Sequence, residues 1–322
     1  MNLADYKSEF LNYLNKEIQI KEPKKLYEPI YYILQIGGKR LRPILTLISC
    51  HFFKGNYKNA LPAALAIEVF HNFTLVHDDI MDEAPIRRGQ KTVHKKWNLN
   101  TGILSGDAMM LMTNKLMEHY NNDMFKELMV LFNKTALEVC EGQQYDVDFE
   151  TSKDVSIEAY KKMITYKTAV LLACSLKMGA IIAGASKNDA QHIYEYGLHL
   201  GIAFQLQDDY LDTFGNPETF GKLIGGDILE NKKTYLYLQL LKKISEEDKV
   251  SLLKWYRTKE KSDRKIKEVT LLYSKYKISE LVKKEITKYT TIAYESLEKT
   301  TIKESGQSFF KKIGNELLNR KV

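Results

Sequence analysis

Cysteine, proline, glycine and strand-like alternation are all scarce in this chain, and each scarcity closes a possibility. Three cysteines, Cys50, Cys140 and Cys174, stand in 322 residues without CxxC spacing. No disulfide framework is expected, and a reducing compartment, the cytoplasm, is. Only 6 prolines and 17 glycines punctuate the chain, while Leu, Lys, Glu, Ala and Ile dominate, so an all-α fold is expected. No segment alternates like a strand, no unit repeats every 20 to 50 residues, and no low-complexity linker divides the chain. Residues 1–16 are charged from Asp5 onward and lack the apolar core of a signal peptide. The longest apolar stretch, residues 169–185, is interrupted by Lys177 and falls short of the length a membrane span needs. With no lipidation signal either, a soluble protein is expected. The 48 basic residues exceed the 41 acidic ones by 7. No arginine-rich arm or basic-aromatic motif accompanies that excess, so anionic small substrates explain it as well as nucleic acid does. A hydrophobic content of 44% can fill a large core, in one big helical domain or two smaller ones.

What the chain does have is one acidic phrase written twice. Asp78-Asp79-Ile80-Met81-Asp82 returns as Asp208-Asp209-Tyr210-Leu211-Asp212. On a helix, positions i and i+4 share a face and i+1 lies about 100° round, so each phrase aims two carboxylates one way and leaves the third at the edge. Like charges at that spacing repel unless a cation sits between them, and oxygen ligands suit a hard ion such as Mg²⁺. Magnesium takes one or two carboxylates and fills its octahedron with water and substrate phosphate. Two such faces brought together would make a magnesium-loaded diphosphate site. A solvated acidic face is the alternative for either phrase alone. At ordinary Asp content one such phrase is expected about 0.04 times in a chain this long, and two in roughly one chain in a thousand.

Cations flank both phrases. Gly37-Gly38-Lys39-Arg40-Leu41-Arg42-Pro43 joins bare backbone amides to three basic side chains at a helix start, an arrangement that attracts phosphate. A helix over residues 60–82 is apolar at its start and acidic at its end. Its dipole disfavours carboxylates there, and a local conflict of that kind points to function. His71 lies seven residues before Asp78 and shares its stripe. Arg87 and Arg88 follow at once, either as forks for phosphate or as salt-bridge partners of Asp82 and Glu83. Residues 101–140 read as two helices of core or subunit interface, and the polar run 141–146 as a lining of the cavity. A continuous helix over residues 160–185 carries Lys167 and Thr168, and a helix over 190–214 carries Phe204 and Gln205 one turn before Asp208. The loop 216–226, with Lys222 and three glycines, reads as a mobile basic flap leading to Asp227 and Lys232. The charged amphipathic helices beyond Tyr235 carry no assignable chemistry.

These motifs, GGKRLRP, His71 with HDDIMD and RRG, the KT pair, FQLQDDYLD and the GK, GD and KKT tail, resemble in order and spacing the trans-isoprenyl diphosphate synthases. The resemblance spans residues 37–234. It implies a single all-α domain over residues 1–322, an isoprenoid synthase type helical bundle around a deep central cavity, assembled as a homodimer. Lys39, Arg42, His71 and Arg88 would hold the diphosphate of isopentenyl diphosphate. Arg87, Lys167, Lys222 and Lys232 would hold the allylic diphosphate. Asp78, Asp82 and Asp208 would bind magnesium, three ions per site with manganese as a substitute, and Asp79 and Asp212 match the motif one layer further out. Thr168 and Gln205 would face the reacting carbons. The loop from Lys222 to Asp227 is slightly longer than in some relatives, which bears on whether Lys232 or Lys233 is the matching lysine.

The implied chemistry needs no protein nucleophile, because metal and cations neutralise the leaving diphosphate and the allylic cation is attacked by the double bond of isopentenyl diphosphate. Phe73 and Thr74 precede Asp78 by five and four residues, about 6 to 7.5 Å down the helix. In the family an aromatic at the earlier position alone goes with C20 products, so geranylgeranyl diphosphate is expected, with farnesyl diphosphate or longer chains as alternatives. A terpene cyclase of the same fold and a non-catalytic partner subunit are the rival readings. The intact second acidic phrase and the complete set of cations weigh against both.

Overall fold

A computed structural model describes residues 1–152, 154–216, 224–258 and 260–319. The chain forms two compact units, Met1–Asn133 with Cys174–Gln191, and Lys134–Ala173 with His192–Val322. Among the described residues the regular structure is helical except for one pair of two-residue strands.

In the first unit the sequence sets helix ends by capping and helix spacing by glycine. Asn2 opens Leu3–Glu17 with a capping box completed by Asp5, and Tyr6, Phe10 and Leu14 enter the core from one stripe. The helix Leu41–Phe52 is buried continuously from Pro43 to Cys50. It can be, because Gly179 admits it: a β-carbon there would stand 2.2 Å from the Thr46 carbonyl oxygen. Ser49 Oγ donates to the Leu176 carbonyl at 2.6 Å across the same contact. Leu61–Met81 is buried on every side from Ala63 to Phe70. It lies against Leu99–Met117, where Gly102 and Gly106, four apart on one face, receive Ile80 and His77.

In the second unit three helices open on serine caps. Ser156, Ser245 and Ser262 accept the amides of Ala159, Asp248 and Lys265 at the starts of Ile157–Ile164, Glu246–Arg257 and Asp263–Lys275. Tyr196, fully buried, donates to the Phe310 carbonyl at 2.8 Å and ties Lys187–Phe214 to Glu304–Asn319.

Three features depart from the sequence reading. The expected continuous helix over 160–185 is interrupted by a π turn, Thr165–Ala169, between Ile157–Ile164 and Val170–Ile182. A short antiparallel pair, Ile86–Arg87 with Gln90–Lys91, carries the two arginines; two residues per strand are too few for alternation to register. The polar run 141–146 continues a helix, Asn122–Thr151, rather than ending one. The segment Ile157–Ile182 has the length and hydropathy of a membrane span by composition, yet 72% of its apolar window is buried inside protein, as in a core helix.

Candidate active site

The first unit gathers cations around the Gly37-Gly38 turn. Gly37 and Gly38 take φ of +92° and +125°, and Arg40, at +53°, is left-handed as it opens the helix Leu41–Phe52. That inversion sorts the basic residues. Arg40 turns inward to the Glu68 carboxylate and the Leu34 carbonyl, with Asn72 Nδ2 donating to the same carboxylate at 3.0 Å. Lys39 stays exposed, and Arg42 sits one residue into the helix, its Nη1 3.5 Å from His71 Nε2. Arg88 donates to the Gly37 carbonyl, and its guanidinium occupies the space a β-carbon on Gly38 would need, 2.7 to 2.9 Å away. Burial, then Arg42, Arg88, Arg87 and Arg40 in turn, hold His71 well below the usual imidazole range. It is neutral here and can accept as well as donate. The buried Nε of Arg42 has no partner among the described residues. This is a seat for an anion with several oxygens.

The first acidic phrase ends the helix Leu61–Met81. Its chain reverses through Glu83 at φ +50°, with Glu83 N–H bonded to the Ile80 carbonyl at 3.2 Å and Ala84 N–H to that of Asp79 at 3.0 Å. The hairpin turn at Arg88 and Gly89, both of positive φ, then brings Arg87 back over Asp79. Arg87 Nε lies 2.9 and 2.8 Å from the two Asp79 oxygens, and Nη2 2.8 Å from one of them. Asp79 is 1% exposed. The two residues expected respectively beside metal and on allylic diphosphate are thus bound to each other. Asp78 is half-buried and Asp82 exposed one turn on. Below them Thr74 Oγ1 donates to the His71 carbonyl at 2.8 Å. Phe73 packs edge-on to His77, with ring centroids 4.8 Å apart, and His77 Nε2 would clash at 2.2 Å with a β-carbon on Gly106. His77 and Gly106 brace Phe73; His77 opens the HDDIMD motif without a role of its own in it, and Gly106 carries no local signal.

In the second unit the π turn presents Lys167 and Thr168. Two glycines bracket it: a β-carbon on Gly142 would stand 2.2 Å from Lys167 N, and one on Gly201 2.6 Å from Ala169 Cα. Glycine inside a helix signals such close approach, and Gly142 and Gly201 were the clues the sequence offered. Lys167 Nζ pairs with Asp146 at 2.5 Å. Thr168 Oγ1 donates to Gln205 Oε1 at 3.1 Å. One turn along, Gln205 Nε2 donates to Asp209 at 3.1 Å, and the Tyr160 hydroxyl donates to the other oxygen of the same carboxylate.

Asp208 is half-buried. Asp212 accepts the Asp227 amide at 3.0 Å, and Gly225 N–H donates to its carbonyl at 2.6 Å. The segment bearing Asp227 and Lys232 is thereby folded onto the phrase. Lys232 Nζ lies 3.4 Å from Asp227 and 3.5 Å from Glu230. Lys233 instead donates to the carbonyls of Phe149 and Glu150, at 2.5 and 3.1 Å, closing the C-terminus of Asn122–Thr151. Burial and then the charge of Asp227 push Asp212 up to about 6, against the Asp227 N–H bond that pulls it down. Burial and Asp227 likewise raise Asp209. Lys222 lies outside the described residues.

Magnesium fits the donor set of each phrase. In the second phrase burial and Asp227 disfavour the charged forms of Asp209 and Asp212, and a hard cation beside them relieves that. Among the described residues no three His, Cys, Asp or Glu side chains converge on one point.

Comparison with known proteins agrees with the motifs. The sequence model of the polyprenyl synthetase family matches residues 23–272. The chain is 40% identical over 232 residues to the geranylgeranyl diphosphate synthase of Methanosarcina mazei, covering 71% of this chain and 72% of that one. It is 37% identical over 281 residues to the geranylgeranyl diphosphate synthase of Sulfolobus acidocaldarius, 85% of each. A crystal structure of a geranylgeranyl pyrophosphate synthase is similar with a TM-score of 0.96, at 47% identity over 100% of both chains.

Proposed function

We infer the reaction from the family to which this chain belongs, the polyprenyl synthetases, that is, the trans-isoprenyl diphosphate synthases. It is a prenyltransferase that joins isopentenyl diphosphate head-to-tail to an allylic diphosphate. The observation that carries the assignment is the anion seat of the first unit: Arg42 and Arg88 beside a neutral His71 on bare glycine backbone, with the Arg42 Nε unpartnered among the described residues. Lys39, Arg42, His71 and Arg88 bind the isopentenyl diphosphate group there. Arg87, oriented by Asp79, binds the allylic diphosphate together with Lys167, Lys222 and Lys232. Asp78, Asp82 and Asp208 hold Mg²⁺, with Asp212 behind them shaping the Asp227 segment. Bound magnesium supplies charge neutralisation to the departing diphosphate. Thr168 Oγ1 and Gln205 turn their dipoles to the allylic carbons, where positive charge develops.

The product is geranylgeranyl diphosphate. The names of the relatives support this, and so does Phe73 standing braced five residues before Asp78 with the smaller Thr74 after it. A second copy of the chain covers the helix Leu99–Met117, whose Leu104 and Leu111, seven apart, are 60% and 69% exposed.

The test is turnover of purified protein with Mg²⁺, isopentenyl diphosphate and, separately, C5, C10 and C15 allylic primers, with products resolved by chain length. A C20 diphosphate from each primer is the expected result, and a C15 end point overturns the length assignment. Phe73→Ala should move the product beyond C20; an unmoved profile removes Phe73 as the floor.

A further inference from the structure

Tyr160 and Asp209 have no role in the reaction as derived so far, yet they are tied to two residues that do. Asp209 is the second aspartate of the later acidic phrase, 6% exposed, and Tyr160 is 2% exposed. One carboxylate oxygen accepts the Tyr160 hydroxyl, and the other accepts Gln205 Nε2 at 3.1 Å. A carboxylate oxygen taking such a bond offers a lone pair, so the side-chain amide of Gln205 must turn its NH₂ toward Asp209. Its carbonyl end then meets the Thr168 hydroxyl, 3.1 Å away. Left to itself, a glutamine amide can adopt either orientation, exchanging donor for acceptor.

The helices are shaped to make this chain of bonds. Gln205 and Asp209 are four apart on Lys187–Phe214 and share a face. Tyr160 and Thr168 are eight apart, and a straight α-helix would set them about 80° out of phase. The π turn Thr165–Ala169 adds a residue between them and brings them to within about 20° of one line. The wide turn thus sets both hydroxyls against the Gln205–Asp209 pair.

We propose that Tyr160 and Asp209 are positioning residues of prenyl transfer, which together hold the Gln205 amide in one of its two orientations and so fix the Thr168–Gln205 dipole pair. The proposal rests on the reading in which Thr168 and Gln205 face the allylic carbons. It separates Asp209 from the magnesium ligands although it stands inside their motif.

Tyr160→Phe keeps the ring and removes one bond. It should lower kcat about 10-fold, with KM for both diphosphates and the Mg²⁺ dependence unmoved within about 2-fold. Asp209→Leu should cost about 100-fold. Asp209→Asn is the rescue: its Oδ1 still accepts from Gln205 while its Nδ2 donates to the Tyr160 oxygen, so a third or so of the turnover should remain. In a Gln205→Leu background, Tyr160→Phe should cost nothing further, since both act through the same amide. A readout independent of turnover is the Gln205 side-chain amide pair in a ¹H–¹⁵N spectrum, identified by its loss in Gln205→Leu. It should be single and sharp in the wild type and in Asp209→Asn, and doubled or broadened in Tyr160→Phe and Asp209→Leu. An amide pair unmoved in Tyr160→Phe overturns the proposal, as do additive losses in the double variant. So does an Asp209→Asn enzyme that needs about 10-fold more Mg²⁺, which would make Asp209 a ligand. A wild type that forms no prenyl diphosphate overturns the function proposed above, and the amide spectrum still judges the hydrogen bonds.

Discussion

Asp79 and Asp209 hold the same place in the two acidic phrases and are both buried, but their partners differ in kind. Asp79 is met by the Arg87 guanidinium through three contacts of 2.8 to 2.9 Å. Asp209 is met by a phenol and a carboxamide, which carry no charge. The surroundings differ in the same sense. In the first unit burial, and then four arginines, hold His71 well down. Around the second phrase, burial and a neighbouring carboxylate push Asp212 up. Positive charge thus gathers beside the first phrase and carboxylate charge beside the second. The same five-letter phrase therefore does not imply the same site; the side chains that meet its second aspartate decide the sign.

The comparison breaks most readily at those second aspartates. Arg87→Ala strips Asp79 of its counter-charge while leaving it buried, and should cost about 3 to 5 kcal/mol in a urea melt. Tyr160→Phe removes one neutral donor and should cost about 1 to 2 kcal/mol. Equal costs would mean that the two carboxylates are held in the same way, and the contrast would fail.

Next in size is the contrast between two glycines. Gly142 faces backbone, the Lys167 amide, whereas Gly106 faces the tip of the His77 ring. A methyl at Gly142 must move the π turn, so Gly142→Ala should cost about 3 kcal/mol and most of the activity. At Gly106 a side chain can swing away, so Gly106→Ala should cost roughly 1 kcal/mol and act on product length instead. As His77 leaves Phe73, chains longer than the wild-type product should form. A Gly142→Ala enzyme that melts like the wild type would show that the π turn is not held by that contact.

These pairs also mark what the sequence made legible. The acidic phrases were readable because i, i+4 spacing leaves a charge pattern that only a helix face explains, and so were the helices that carry them. The π turn was not, since no Gly or Pro stands beside Lys167 and Thr168, and the glycines that receive it, Gly142 and Gly201, lie far off in sequence. Which arginine of GGKRLRP faces the site was hidden too. Arg40 is left-handed, and that one dihedral turns it inward to Glu68 while leaving Lys39 exposed and Arg42 beside His71. The part played by Tyr160 depends on a partner 49 residues away, a pairing that no local pattern encodes. Lys232 and Lys233 read alike until Lys233 is seen to close a helix end.

The smallest effect separates the halves by pH. Because the folded state keeps His71 neutral, only the unfolded chain takes up its proton once pH falls below about 6.5. The unfolded state then binds more protons, so stability is present above that value and is lost as pH falls, by up to about 1.4 kcal/mol per unit. Asp212 acts in the opposite sense: its folded carboxyl holds a proton up to about 6, above its unfolded value of 3.8, and its contribution is lost as pH rises between the two. Urea melts of wild type and His71→Gln at pH 6.5 and 5.5, in magnesium-free buffer, isolate the first term. The wild type should lose roughly 1 kcal/mol more than the variant over that step. If the two lose equally, the imidazole is protonated in the fold, and the arginine cluster is not the positive field that sets the first half apart from the second.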